Sequence, residues 1–99
     1  MNLNFTEKEQ KMVNAHFIIA EEQCGRLKPE DLIWDNLSCA YVEDFERLTG
    51  FSKHQIAGLI GSLIEKGFMN LEERSAQNGR DLYWINDTYL EEITGISIW

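Results

Sequence analysis

Apolar residues recur at helical spacing in several stretches of the chain, and two later stretches have strand composition instead. The clearest helical series is Ile56, Leu59, Ile60, Leu63 and Ile64, at i, i+3, i+4, i+7 and i+8, which draws a single apolar stripe along a helix. Its ends are marked. Ser52 and Gln55 form an S-x-x-Q capping box, in which each residue satisfies an orphan amide of the other, and Phe51 and Ile56 stand at the two positions of a hydrophobic staple. Gly67 follows Lys66 as a left-handed stop. The polar side of this helix is then Lys53, His54, Gln55, Ala57, Gly58, Gly61, Ser62 and Glu65.

Upstream, Thr6-Glu7-Lys8-Glu9 is a T-x-x-E capping box that opens an earlier helix. Val13, Phe17, Ala20 and Cys24 follow at helical spacing, Met12, Ala15 and Ile19 widen the face, and Gly25 ends it. So broad an apolar face fits a core helix, or one that shares its face with a partner subunit. Pro29 suits the first position of a short helix through Trp34, with Glu30 and Asp31 at its positive end. Residues 36–40 read either as a break with a short extended piece or as a continuation into the next helix. Residues 41–49 read as helix, with Val42, Phe45 and Leu48 inward and Gly50 as the stop.

After Gly67 the period changes. Residues 68–74 and 81–85 have strand composition, and Asn78-Gly79 between them is a tight-turn signal, so the pair predicts a β-hairpin. Thr88-Tyr89-Leu90-Glu91 is a further T-x-x-E box and predicts a short helix to about Thr94. The tail Ile96-Ser97-Ile98-Trp99 either docks on the core or forms a contact surface.

A helix, a glycine turn, a capped helix and a hairpin, in that order, predict a mostly α winged helix-turn-helix. Residues 1–99 form one domain, the helix-turn-helix spans about 41–67 and the wing hairpin about 68–86. The run from Phe45 through Thr49-Gly50-Phe51-Ser52 to Lys66-Gly67-Phe68-Met69 resembles the helix-turn-helix of bacterial winged-helix regulators, nearest to the multiple-antibiotic-resistance type. Asn78-Gly79-Arg80 is similar to that family's wing tip. The resemblance covers residues 41–92, about half the chain.

It implies a transcriptional regulator that binds double-stranded DNA sequence-specifically, with the capped helix in the major groove and its first turn nearest the base edges. On that likeness Lys53, His54 and Gln55 form the reading turn. Lys53 would take a phosphate or guanine, Gln55 an adenine edge and Ser62 a phosphate, with Arg80 entering the minor groove beside Gln77 and Asn78. It also implies a homodimer, which would use the first helix and residues 89–99.

Charge sharpens the question. The chain of 99 residues has a net charge of −8, and the acids are unevenly spread. Residues 1–51 sum to −5, 52–80 to +1 and 81–99 to −4. An acidic protein does not bind phosphates indiscriminately, so any DNA contact falls in the central segment. The same charge supports an alternative: a non-enzymatic winged-helix module that contacts a basic protein partner.

Cys24 and Cys39 form no C-x-x-C pair and read as two reduced thiols, and with His16 and His54 they complete no metal-ligand spacing. His16 sits in an apolar helical stretch and reads as a core or boundary residue. No phosphate loop or nucleophile motif is present, so neither an enzyme nor a cofactor is expected. No apolar run has membrane-spanning length and no signal core opens the chain, which places the protein in the cytoplasm by expectation.

Overall fold

The computed structural model describes residues 4–25, 28–34, 36, 38–72 and 81–96. Five helices and one hairpin follow in the order α1 Glu7–Cys24, α2 Pro29–Leu32, α3 Val42–Thr49, α4 Lys53–Glu65, β1 Met69–Glu72, β2 Leu82–Ile85 and α5 Asp87–Thr94. The architecture is mostly α with a small antiparallel hairpin, in the topology of a winged helix-turn-helix.

Local chemistry sets the helix ends. The Thr6 hydroxyl accepts the Glu9 N–H at 3.2 Å while Glu9 Oε1 accepts the Thr6 N–H at 2.7 Å. Ser52 and Gln55 repeat the exchange at 3.2 and 3.1 Å. At the start of α3, Asp44 Oδ2 accepts the Tyr41 N–H at 2.9 Å. Gly50 ends α3 at φ 74°, a left-handed conformation that side chains with a Cβ rarely adopt, and its N–H reaches the Glu46 carbonyl at 3.0 Å. That turn sends the chain directly into α4.

The hairpin pairs Met69 with Ile85, Asn70 with Trp84, Leu71 with Tyr83 and Glu72 with Leu82. Asn36 and residues 38–40 do not continue a helix. Ala40 bridges Tyr83 through two hydrogen bonds of 2.9 and 3.0 Å, so the break lies before α3 and adds one residue of a third strand to β2. Residues 73–80, the Asn78-Gly79 turn among them, lie outside the described residues.

α5 corrects one expectation. Its cap is Asn86 rather than Thr88, and its side chain accepts the N–H groups of Thr88 and Tyr89 at 2.8 and 3.3 Å. Asn is as good a cap as Thr. Standing two residues earlier, it starts the helix first and leaves Thr88 exposed within the opening turn.

α1 packs on α3 and α4, α3 on α4, α4 on β1, and α2 on α5. Most of the broad α1 face is absorbed by this core: Met12, Val13, Ala15, His16, Ile19 and Ala20 are buried, and Ile18 stays exposed. Phe68, at the root of the hairpin, is the aromatic centre. Phe5, His16, Phe17 and Tyr89 surround it with ring centroids 5.0–6.3 Å away. Ile96 packs against the same core, and the rest of the C-terminal tail lies outside the described residues. Cys39 is a free, half-buried thiol that donates to Gln23 Oε1 at 3.0 Å.

His16 is fully buried, as the apolar pattern around it implied. Its Nε2–H donates to the Ser38 carbonyl at 2.7 Å, and Nδ1 has no partner. Burial pushes its pKa down from 6.5 to about 4, against the pull of the Ser38 and Tyr83 carbonyls. The folded state therefore binds fewer protons here than the unfolded chain. Stability is full above pH 6.5 and falls as pH drops toward 4, by about 3 kcal/mol in all. Urea unfolding at stepwise pH checks this: His16→Gln, which keeps a donor but does not titrate, flattens the profile between pH 6.5 and about 4.5.

Candidate nucleic-acid interface

The orientation of α4 is set by a carboxylate on α1. Glu9 is buried, and besides its own helix cap it accepts the Lys66 ammonium at 2.6 Å and the Ser62 hydroxyl. Lys66 also reaches the Asn4 carbonyl at 2.8 Å. The Lys66 hydrogen bond, then those from Ser62 and the Thr6 N–H, hold the Glu9 pKa down at about 2 against the opposing push of burial.

This arrangement divides the polar side of α4 in two. Ser62 and Lys66, one turn apart, face α1. Ser62 is half-buried with its hydroxyl committed to Glu9, so it does not belong to the exposed side on which its helical position placed it. The true outer stripe is His54, Gly58, Gly61 and Glu65, at i, i+4, i+7 and i+11, with Lys53, Gln55 and Ala57 beside it, all exposed. Among the described residues Lys53 and His54 make no ion pair.

Gln55 is exposed but half engaged. Its Oε1 accepts the Ser52 N–H, so while the cap stands it offers a ligand chiefly its Nε2 donors. Bidentate reading of adenine needs both ends of the amide, so the capped Gln55 suits a phosphate or a guanine acceptor better. Arg47, on α3, is already held by Glu22 of α1 at 2.6 and 3.1 Å. Gln77, Asn78 and Arg80 lie outside the described residues.

The two glycines are the least expected part of the stripe. Each has ordinary helical backbone, and a Cβ built at Gly58 or Gly61 meets nothing within 4 Å. Among the described residues no packing calls for glycine at either position. They leave a strip of α4 backbone that an external surface can approach closely. No acidic residue stands between Glu46 and Glu65, so α4 itself carries no acid before its last residue.

The sequence missed the second role of Glu9. The available signal was that Ser62 and Lys66 flank the apolar stripe at helical spacing from Leu59, next to whatever packs there. Among the described residues no cluster of three or more His, Cys, Asp or Glu could hold a metal ion, and no helix is long and apolar enough to cross a membrane. Comparison with protein-family models, curated proteins and solved structures finds no match to this chain.

Because no described residue needs glycine at these positions, Gly58→Ala and Gly61→Ala each stabilise the fold by about 1 kcal/mol. Thermal melts followed by circular dichroism check this. Each substitution raises Tm by about 4–8 °C in a domain of this size.

Proposed function

We propose that this chain is a sequence-specific DNA-binding regulator of the multiple-antibiotic-resistance type, in which the outer stripe of α4 enters the major groove. The observation that carries the reading is the state of that stripe. α4 is the second helix of a helix-turn-helix, tied to α1 along one flank, and its opposite flank is uncovered from Lys53 to Glu65. Lys53 takes a phosphate or guanine, His54 and the Gln55 amide contact groove acceptors, and Gly58 and Gly61 let the helix backbone approach the duplex. Arg80 enters the minor groove from the wing, beside Gln77 and Asn78. Ser62 faces Glu9 and not the duplex, and it supplements the Lys66–Glu9 pair that sets the roll of α4. The protein acts in the cytoplasm as a dimer through α1 and the C-terminal segment, so that two α4 helices meet successive half-sites.

Selection from a random duplex library at low salt tests this reading. A selected duplex binds with an affinity that falls steeply with salt, and Lys53→Glu and Arg80→Glu each abolish binding. Ser62→Ala lowers stability yet leaves the affinity of the folded protein within about twofold, since that hydroxyl faces α1. A folded protein that retains no duplex from the pool contradicts the proposal.

A further inference from the structure

The net acidic charge of this protein traces to three stretches of its sequence. Residues 29–40, strand β1 and residues 81–96 together carry eight acids and no Lys or Arg, which equals the entire net charge of −8. The remaining residues balance. The fold brings these acidic segments together, because α2 packs on α5 and Asn36 donates to both the Ile85 carbonyl at 2.6 Å and Asp87 Oδ1 at 3.0 Å.

A pocket of about 210 Å³ opens where they meet, lined by Asn36, Asn70, Trp84, Ile85 and Asp87. Its polar groups are only partly used. Asp87 receives Asn36 through Oδ1, and Asn70 Oδ1 receives the Asn86 amide at 2.7 Å. Among the described residues, Asp87 Oδ2, the Asn70 amide nitrogen and the Trp84 indole N–H have no hydrogen-bond partner. Asn70 and Trp84 face each other across the hairpin, and Glu72, two residues beyond Asn70, shares their side of the ribbon. Trp34, 68% exposed, stands two residues before Asn36.

We propose that this pocket is a docking site for an arginine-bearing segment of a partner protein. The lining fits each part of such a segment. Asp87 takes the guanidinium, the Trp84 face receives its plane by stacking, and the Asn70 amide and Trp84 N–H have peptide carbonyls to bind. Glu72 extends the same chemistry to a neighbouring basic residue. Asp87 and Glu72 form no ion pair among the described residues, so they repel DNA and attract a cationic chain, and this surface and the outer stripe of α4 address opposite kinds of ligand.

The test uses the full chain and an arginine–glycine repeat peptide at about 150 mM salt, where diffuse attraction is screened. Calorimetry gives the affinity, and two-dimensional NMR follows the indole signals of Trp34 and Trp84. The peptide is expected to shift the Trp84 indole signal. Asp87→Asn, which keeps the Asn36 contact, and Trp84→Leu each weaken binding by at least about tenfold, while Glu21→Gln on α1 leaves it unchanged. Equal losses for Asp87→Asn and Glu21→Gln overturn the proposal, because they indicate nonspecific charge. So does tight binding of agmatine alone, which indicates a small-amine site. Sedimentation as a dimer that Trp84→Leu dissociates also overturns it, in favour of a second copy of this chain. None of these outcomes depends on DNA binding.

Discussion

A single buried carboxylate holds the arrangement of this domain. Glu9 sits at the third position of α1, where it closes the Thr6 cap, and it is also the point at which α4 is tied down through Ser62 and Lys66. Taking a carboxylate out of water is costly, and beyond the Thr6 N–H of its own cap the donors that offset the cost, Ser62 and Lys66, come from the C-terminal end of α4. If α4 rolls by one residue, Ser62 and Lys66 leave and the charge is stranded. The tie therefore fixes which residues of α4 point outward, something its apolar stripe alone leaves loose to within a residue or so.

The second organising point is apolar. Phe68 ends the α4 turn, receives the edges of His16 and Tyr89, and roots the hairpin, where the Asn86 N–H reaches its carbonyl at 2.7 Å. His16 carries the connection onward to the Ser38 carbonyl, and the Ser38 hydroxyl in turn accepts the Ile85 N–H at 2.9 Å. One imidazole thus joins α1 to the segment that pairs with β2. A buried, half-satisfied histidine is a weak point in acid, and it is the part of the core most exposed to a change of protonation.

Much of this was legible from the residues, for a physical reason. Capping boxes, the Phe51–Ile56 staple and the glycine stops are local, so Thr6–Glu9, Ser52–Gln55, Gly25 and Gly50 announced α1, α3 and α4 directly. What escaped was non-local. The partner of Ser62 lies 53 positions away on α1, so its helical position suggested an exposed hydroxyl where the fold supplies a buried acceptor. The pairing of Ala40 with Tyr83 spans the whole helix-turn-helix, and residues 36–40 hold no signal for it. Asn86 and Thr88 compete as caps two residues apart, and only the resulting geometry chooses between them. The acidic stretches were each visible in the sequence, but the meeting of Asn36, Asn70, Trp84 and Asp87 in one pocket depends on how the hairpin and α5 fold together.

Two surfaces emerge, one almost bare and free of acidic excess along α4, the other aromatic and acidic where the hairpin meets α5. The most direct measurement is an NMR titration of the isotope-labelled chain with a duplex drawn from the selected pool. If Glu9 holds α4 as a reading helix, amide shifts concentrate at Lys53, His54, Ala57, Gly58 and Gly61, and the signals of α2 and α5 stay in place. Shifts confined to the acidic surface, with α4 silent, would contradict it.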